Sequence, residues 1–410
     1  MPRRDILLYL TAIGLVGFTI DGGIYSVVYN LYVLRLGYEP DFVGLLASVS
    51  LVAFTVASAP AGVLGSHWGS RRSMLLGLGL MTGTAILMPL AALVPATAVS
   101  AWLLGLYSVQ MVGLAFFFVN GPPYLTAVAP PALRERAFSY QVALWSFAAF
   151  VGSLLGGFLP GLLVARLGVT LSAPLPYAVP LGVAAIGLAV AFAVMFAASD
   201  VARRTAGPKS EAAVAFPLMV IVVLGVVRFL QAGAVGTTIP FFNVYMDSAL
   251  HTPTVTIGIV TALGRLLAVP TALLAPMLAR RWGNANTVTW GSLGLSLAAL
   301  PMIFIPDWIA ASLGFVGITS LSSVRYAAFL VYAMDIVPPE RRGLLSGVSE
   351  TSAGVSFAFT AYLGGQMITR LGYPPLFAFG AVMGVLGTAV FWLYFQVRRE
   401  PRPSVEVGEV

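Results

Sequence analysis

The sequence contains twelve apolar runs, each about as long as a helix that crosses the hydrocarbon core of a membrane, which takes roughly 20 residues. We number these predicted spans 1 to 12, at 6–34, 42–65, 73–94, 99–128, 137–165, 176–198, 216–246, 254–279, 287–306, 308–335, 343–369 and 375–397. Hydrophobic residues make up 59% of the chain and charged residues only 9%, which is too few charges to cover a soluble protein. The sequence therefore predicts an all-α membrane protein with twelve transmembrane helices.

Basic residues are divided unequally between the loops on the two sides of the membrane. Of the 22 Lys and Arg residues, 16 fall in the termini or in the loops on the same side as the termini. Three fall in the opposite loops, namely Arg35, Arg166 and Arg370. Because basic loops remain cytoplasmic, we expect a multi-pass protein of the cell inner membrane with both termini in the cytoplasm.

Four short motifs recur in the same order in the two halves of the chain. They are NLY at Asn30 with NVY at Asn243, Gly44 with Gly258, the segments 128–137 with 336–343, and LLGG at 154–157 with YLGG at 362–365. Such a repeat is typical of a duplicated helical unit. We predict two similar six-helix bundles at 1–199 and 216–397, a cytoplasmic linker at 200–215 and a cytoplasmic tail at 398–410.

The loop between spans 2 and 3, GVLGSHWGSRR, resembles the signature of the major facilitator superfamily. The matching residues are Gly62, Leu64, Gly69, Arg71 and Arg72, and Ser66 stands where the family usually has an aspartate. A glycine at position 69 permits a tight turn, and the two arginines suit the anionic cytoplasmic face. The resemblance extends over the whole chain and implies a prokaryotic secondary transporter that works by alternating access. It also implies that this loop takes part in gating.

Other family features are only partly present. The arginine that the family often carries in span 4 is replaced by Val109. The motif GSLLGG at 152–157 in span 5 resembles the antiporter motif of the family, with Ser153 in place of proline. These glycines are equally typical of close helix packing. At the inner end of span 10, we place Asp335, Arg341 and Arg342 with the gating residues.

Five charged residues fall within the predicted spans: Asp21, Arg228, Arg265, Arg325 and Glu350. A charge at mid-membrane costs a few kcal/mol unless it is paired or hydrated. We therefore take Asp21 and Glu350 as candidate proton-coupling residues and the three arginines as candidate substrate-binding residues. The alternative is that these charges only form ion pairs that join helices.

Uncharged polar residues complete the candidate substrate-binding set. Tyr25 and Tyr29 share a helical face with Asp21, although a tyrosine stripe is also typical of packing. Asn120 in span 4 and Gln231 in span 7 are the remaining candidates. The segments NGPP at 120–123 and TTIP at 237–240 are predicted to interrupt these two spans, because irregular backbone at membrane depth occurs where it lines a cavity or is buried in protein.

The three arginines outnumber the two acids, which predicts a small organic solute with an apolar body and an anionic group. The two acids, Asp21 and Glu350, predict that this solute is carried with protons. The alternatives are a broad-specificity proton-antiport exporter or an uncoupled uniporter. Without cysteine, with two histidines and with a single lysine preceded by proline, the sequence offers no thiolate or histidine metal site and no ATP-binding loop of the Gly-Lys-Ser/Thr type. We therefore expect that the protein is not an enzyme and that it binds no metal and no cofactor. Its expected energy source is a proton gradient. The expected partners are the solute and the lipid bilayer, not nucleic acid, and the expected state is a monomer; a sensor or scaffold is disfavoured.

Overall fold

A computed structural model describes residues 2–20, 22–200, 218–337 and 342–397. Asp21, Arg341, the predicted tail and nearly all of the predicted linker lie outside the described residues. The helices longer than ten residues are Pro2–Thr19, Ile24–Arg35, Pro40–Trp68, Ser70–Leu87, Ala96–Val128, Pro131–Leu167, Leu175–Phe196, Leu218–Gly236, Thr254–Trp282, Asn284–Ala298, Trp308–Ile336, Arg342–Leu371 and Tyr373–Trp392.

These helices form twelve spans, because the first two belong to span 1. Short helical segments extend spans 3, 7, 9 and 12, at Met88–Leu93, Phe242–Val244, Tyr245–Ala249, Leu300–Phe304 and Leu393–Val397. In the described part of the chain, eleven spans are long and apolar enough to cross a membrane. The other one, span 11, has the length but carries the polar run 349–352. We call the face where span 1 begins the inner face and the opposite one the outer face.

Span 1 is not the continuous helix that the sequence predicted. Its helix ends at Thr19 and resumes at Ile24. Between them Gly22 has a φ of +83°, a conformation that favours glycine because it lacks a Cβ. The amide of Gly22 donates to the hydroxyl of Ser26 at 2.7 Å. The prediction missed this break although the sequence Asp-Gly-Gly marks a turn.

The two predicted interruptions had opposite outcomes. In span 7 the helix ends at Gly236, so the break at TTIP is confirmed. In span 4 the prediction was wrong, because the helix Ala96–Val128 continues through Pro122 and Pro123. Prolines are tolerated in membrane helices that neighbouring helices support, and Asn120 supports this one by donating to the carbonyl of Ala61 in span 2 at 3.0 Å.

The two halves meet along two pairs of spans, since span 2 packs on span 11 and span 5 packs on span 8. Glycines set both contacts. A Cβ on Gly157 would lie 2.7 Å from the Cα of Gly258, and a Cβ on Gly44 would lie 3.0 Å from the Cα of Gly365. The four residues occupy corresponding positions in the sequence repeat, so the duplicated motifs pack against each other across the interface.

Candidate functional site

Arg325 lies in the interior of the C-terminal half. Its side chain is only 1% exposed, and its Nη1 donates to Oε1 of Gln231 at 2.8 Å. Span 9 makes room for it with Gly291, where a Cβ would lie 3.1 Å from the Cβ of Arg325. The Nε of Arg325 and the Nε2 of Gln231 are buried without a hydrogen-bond partner among the described residues. Arg325 and Gln231, both predicted as substrate-binding residues, are therefore in contact and keep unused donors.

Arg228 lies in span 7, three residues before Gln231, the hydrogen-bond partner of Arg325. It is 8% exposed, and its guanidinium lies over the ring of Tyr326, 4.7 Å from the ring centre. The hydroxyl of Tyr326 donates in turn to Oε1 of Glu350 at 3.0 Å. The structure thus brings together three of the predicted charged residues, with a tyrosine between two of them.

The exposed fraction of the side chains rises from the arginines through Tyr326 to Glu350. Arg325 and Arg228 are buried, Tyr326 is 36% exposed and Glu350 is exposed. Neither arginine forms an ion pair with a described carboxylate, unlike Arg35 with Asp247 and Arg72 with Asp200. Because an arginine remains charged in proteins, these two guanidinium groups form a buried cationic site whose open side carries a titratable carboxyl.

The predicted tyrosines lie in the N-terminal half, packed against span 4. The rings of Tyr25 and Tyr29 are 5.7 Å apart, and that of Tyr29 lies 4.4 Å from Tyr107. The hydroxyl of Tyr29 is buried without a hydrogen-bond partner among the described residues. Gln110, which is completely buried, lies beside Tyr25. Tyr25 and Tyr29 therefore form a packed surface that includes buried polar groups, namely a tyrosine hydroxyl and the amide of Gln110. They are far from the arginines in the sequence.

Arg265 and Asn120 have different surroundings from the two buried arginines. Arg265 comes from the C-terminal half but lies beside the break in span 1, where a Cβ on Gly22 would be 3.1 Å from its Nε. Asn120 is 2% exposed and donates to the carbonyls of Ala61 and Phe116. Both of its donors thus bind helix backbone within the N-terminal half, which gives Asn120 a role in joining spans 2 and 4.

An ion pair and hydrogen bonds connect the halves near the outer face. Arg35 at the end of span 1 binds both carboxylate oxygens of Asp247, at 2.8 and 2.6 Å. Asn30 donates to the carbonyl of Pro240 at 2.8 Å, and Asn243 donates to the carbonyl of Ser26. These contacts close the outer face.

At the inner face, the predicted gating loop binds the end of span 6. Arg72 pairs with Asp200 at 3.1 Å, and Arg71 donates to the carbonyl of Phe196. Asp200 thus supplies a carboxylate to a loop in which Ser66 replaces the usual aspartate; Ser66 itself bonds to the carbonyl of Val63.

The remaining gating residues have simpler surroundings. Gly62 faces Val119, and Gly69 forms the predicted turn with a φ of +96°. Asp335 is exposed. Arg341 and the side chain of Arg342 lie outside the described residues.

Sequence reasoning missed several residues of these sites. Tyr326 and Gln110 were not selected, although each is polar and lies in a predicted span. Arg35 and Asp247 were not connected, because no sequence pattern shows that the ends of spans 1 and 7 meet. One indication in the sequence that Tyr326 belongs to the site is that it directly follows Arg325.

The sequence profile of the Major Facilitator Superfamily matches residues 11–324 and 224–409, and so covers nearly the whole chain. The chain belongs to this superfamily. No curated protein matches the sequence at a significant level. Family membership confirms the resemblance that the sequence suggested, and it indicates a membrane transporter rather than an enzyme.

Solved structures of superfamily members share the fold. One is a D-xylose–proton symporter, with a TM-score of 0.77 and 16% identity over 95% of this chain and 97% of that one. Another is the inward-open xylose transporter XylE from E. coli, with a TM-score of 0.75 and 14% identity over 96% of each chain. The nucleoside transporter NupG has a TM-score of 0.71 and 12% identity over 96% of this chain and 100% of that one. These likenesses confirm a fold of twelve spans in two six-helix halves.

Proposed function

We propose that this superfamily member is a secondary transporter of a small organic solute that carries an anionic group on an apolar body. The observation that carries the proposal is the pair of buried arginines, Arg228 and Arg325, which form no ion pair in the described part of the chain. A buried charge that no carboxylate binds directly costs several kcal/mol. A carboxylate or phosphate of the solute offsets that cost by binding the guanidinium groups through two hydrogen bonds.

The surroundings of the arginines support the same class of solute. Gln231 adds an unused amide donor beside Arg325. Rings of tyrosine and phenylalanine, which suit an apolar body, are frequent in the spans of both halves. The exposed side of Tyr326 and Glu350 gives a route into the site from the inner side, since the outer face is closed by Arg35 and Asp247.

We propose protons as the coupling ion and Glu350 or Asp21 as the proton carrier. Glu350 supports this role because it is exposed and hydrogen-bonded to a residue that contacts Arg228. Asp21 remains the other candidate on sequence grounds, next to the glycine that lies beside Arg265. The glycines of GSLLGG pack against spans 1 and 8, so they give no separate support for antiport.

The proposed setting is the inner membrane, with both termini cytoplasmic and the transporter acting as a monomer. The distribution of basic residues supports the orientation. Membership of the superfamily supports a monomer. The proton gradient supplies the energy, and transport follows alternating access, in which the outer contacts open as the inner side closes.

The first test is a thermal-shift screen of the purified protein with carboxylates, phosphate esters, sugars and uncharged amphipathic drugs. A ligand at 100 times its Kd stabilises a protein by about 2.7 kcal/mol. We expect stabilisation by carboxylates or phosphate esters, and its loss in Arg228→Ala and Arg325→Ala. Stabilisation by uncharged or cationic compounds alone, retained in both variants, would show that the arginines serve only the structure.

The second test uses a stabilising solute in proteoliposomes. Glu350→Gln and Asp21→Asn are each assayed for accumulation driven by a pH gradient and for counterflow. The proton carrier loses the first activity and keeps the second. Retention of gradient-driven accumulation in both variants contradicts the proposed coupling.

A further inference from the structure

Tyr326 lies between two charged groups to which the proposed function gives separate tasks. The guanidinium of Arg228 lies over its ring at 4.7 Å, and its hydroxyl donates to Glu350 at 3.0 Å. A cation over an aromatic face is attracted by the ring's negative charge density, and a hydrogen bond to a carboxylate is among the strong ones in proteins. One side chain therefore contacts both the cation and the acid.

We propose that Tyr326 couples anion binding at Arg228 to protonation of Glu350; this inference rests on the proposed function. In the empty site, the ionised Glu350 accepts the hydrogen bond of Tyr326 and partly balances the charge of Arg228. When the solute anion binds Arg228, it supplies that negative charge instead. Glu350 then binds one proton from the water on the exposed side.

Coupling through Tyr326 fixes the ratio in which the proton and the solute anion are transported. An anion and a proton enter the site together, so its net charge is the same before and after binding. They must also leave together, because release of the anion restores the charge that favours an ionised Glu350. Tyr326 as a coupling residue therefore predicts symport of one proton with each negative charge, and disfavours proton antiport.

The groups around Glu350 leave few other routes for this coupling. Span 7 presents Arg228 to it, and span 10 presents Tyr326. Span 2, which packs on span 11, faces it with Thr55 at Gly354, and its described charged or titratable residues, Asp41 and His67, lie near its ends. Span 12 carries no charged residue within Tyr373–Trp392.

The test measures the protonation of Glu350 without any solute. A carbodiimide reacts with protonated carboxyl groups, and mass spectrometry gives the labelled fraction of Glu350 relative to the exposed Glu39 at neutral pH. Tyr326→Phe keeps the ring beneath Arg228 and removes only the hydroxyl. Arg228→Gln imitates an arginine whose charge has been neutralised by an anion. The two single variants and the double variant form a cycle that isolates their interaction.

We expect each single variant to raise the labelling of Glu350 by about tenfold, the effect of one charge-assisted hydrogen bond. In the double variant we expect the labelling of Glu350 to rise no more than in the single variant with the larger effect. The first substitution already breaks the connection between Arg228 and Glu350 through Tyr326. Tyr362→Phe, which removes an exposed tyrosine hydroxyl from span 11 itself, should leave the labelling unchanged. Multiplied effects in the double variant, or no effect of Tyr326→Phe, would overturn the role of Tyr326.

This outcome is distinguishable from failure of the proposed function. The labelling cycle needs no solute, so multiplied effects remove Tyr326 from the mechanism and leave anion transport standing. Conversely, absence of any stabilising anion in the thermal-shift screen removes the proposed function whatever the labelling shows. With a solute from the screen, Tyr326→Phe should lose at least tenfold in gradient-driven accumulation and keep counterflow.

Discussion

Asn30 and Asn243, which occupy the same position in the two repeats, each donate a hydrogen bond to a backbone carbonyl of the other half. Asn30 in span 1 binds the carbonyl of Pro240 in span 7, and Asn243 in span 7 binds the carbonyl of Ser26 in span 1. The two bonds thus join span 1 to span 7 near the outer face.

Asn30→Ala and Asn243→Ala should therefore favour opening of the outer face. Each removes one hydrogen bond between the halves, worth about 1 kcal/mol. We expect the outer-closed population to fall about fivefold in each variant. Spin labels at the exposed outer positions 39 and 251, introduced into a chain that has no native cysteine, should report longer distances. Unchanged distances in both variants would mean that these bonds do not hold the face closed.

The ion pair between Arg35 and Asp247 should contribute more than a surface pair does. Its side chains are only 20% and 10% exposed, and both carboxylate oxygens are bound. We expect Asp247→Asn to open the outer face and the exchanged pair Arg35→Asp with Asp247→Arg to restore part of the closure. The same spin-label distances measure both effects. Equal opening in the single and exchanged variants would show that the charges do not act as a pair.

The glycine contacts between the halves should be intolerant of even a methyl group. A Cβ on Gly258 would lie 2.6 Å from the Cα of Gly157, so Gly258→Ala must push spans 5 and 8 apart. We expect a lower unfolding temperature and a shift away from the outer-closed state. Gly182→Ala in span 6, where a Cβ meets nothing within 4 Å, is the matched control. A loss of stability equal to that of the control would contradict the importance of this contact.

Two tyrosines of span 1 should respond in opposite directions to the loss of their hydroxyl groups. Tyr32 donates to the carbonyl of Pro89 at 2.9 Å, so Tyr32→Phe should destabilise the protein by about 1 kcal/mol. The buried hydroxyl of Tyr29 has no partner among the described residues, so Tyr29→Phe should stabilise the empty protein by a similar amount. Thermal unfolding measures both. A destabilised Tyr29→Phe would show that this hydroxyl is bound in the protein.

The sequence predicted the spans well because hydropathy is a local property, and membrane helices satisfy their hydrogen bonds within themselves. It also predicted the duplication, since the repeated residues are visible in order. The break at Gly22 was missed because an apolar run was read as one helix despite its two glycines. The continuity of span 4 was missed because the support for its prolines comes from Ala61 in another span.

The site was predicted as residue types but not as an arrangement. Arg228, Arg325 and Glu350 were selected because charges at membrane depth are costly. Their connection through Tyr326 depends on the packing of spans 7, 10 and 11, which hydropathy does not encode. The same holds for the ion pair between Arg72 and Asp200. These residues are far apart in sequence, so the sequence did not show that Asp200 supplies the carboxylate that is missing at Ser66.

The burial of Arg228 and Arg325 in one half has a consequence for the membrane voltage. A charge that crosses the whole field changes its energy by about 2.3 kcal/mol per 100 mV. If the empty C-terminal half carries two guanidinium groups and one carboxylate as it turns, a potential that is negative inside draws it toward the inner side. The empty carrier would then rest with its site facing the cytoplasm, and the speed of its return would depend on how strongly the membrane is energised.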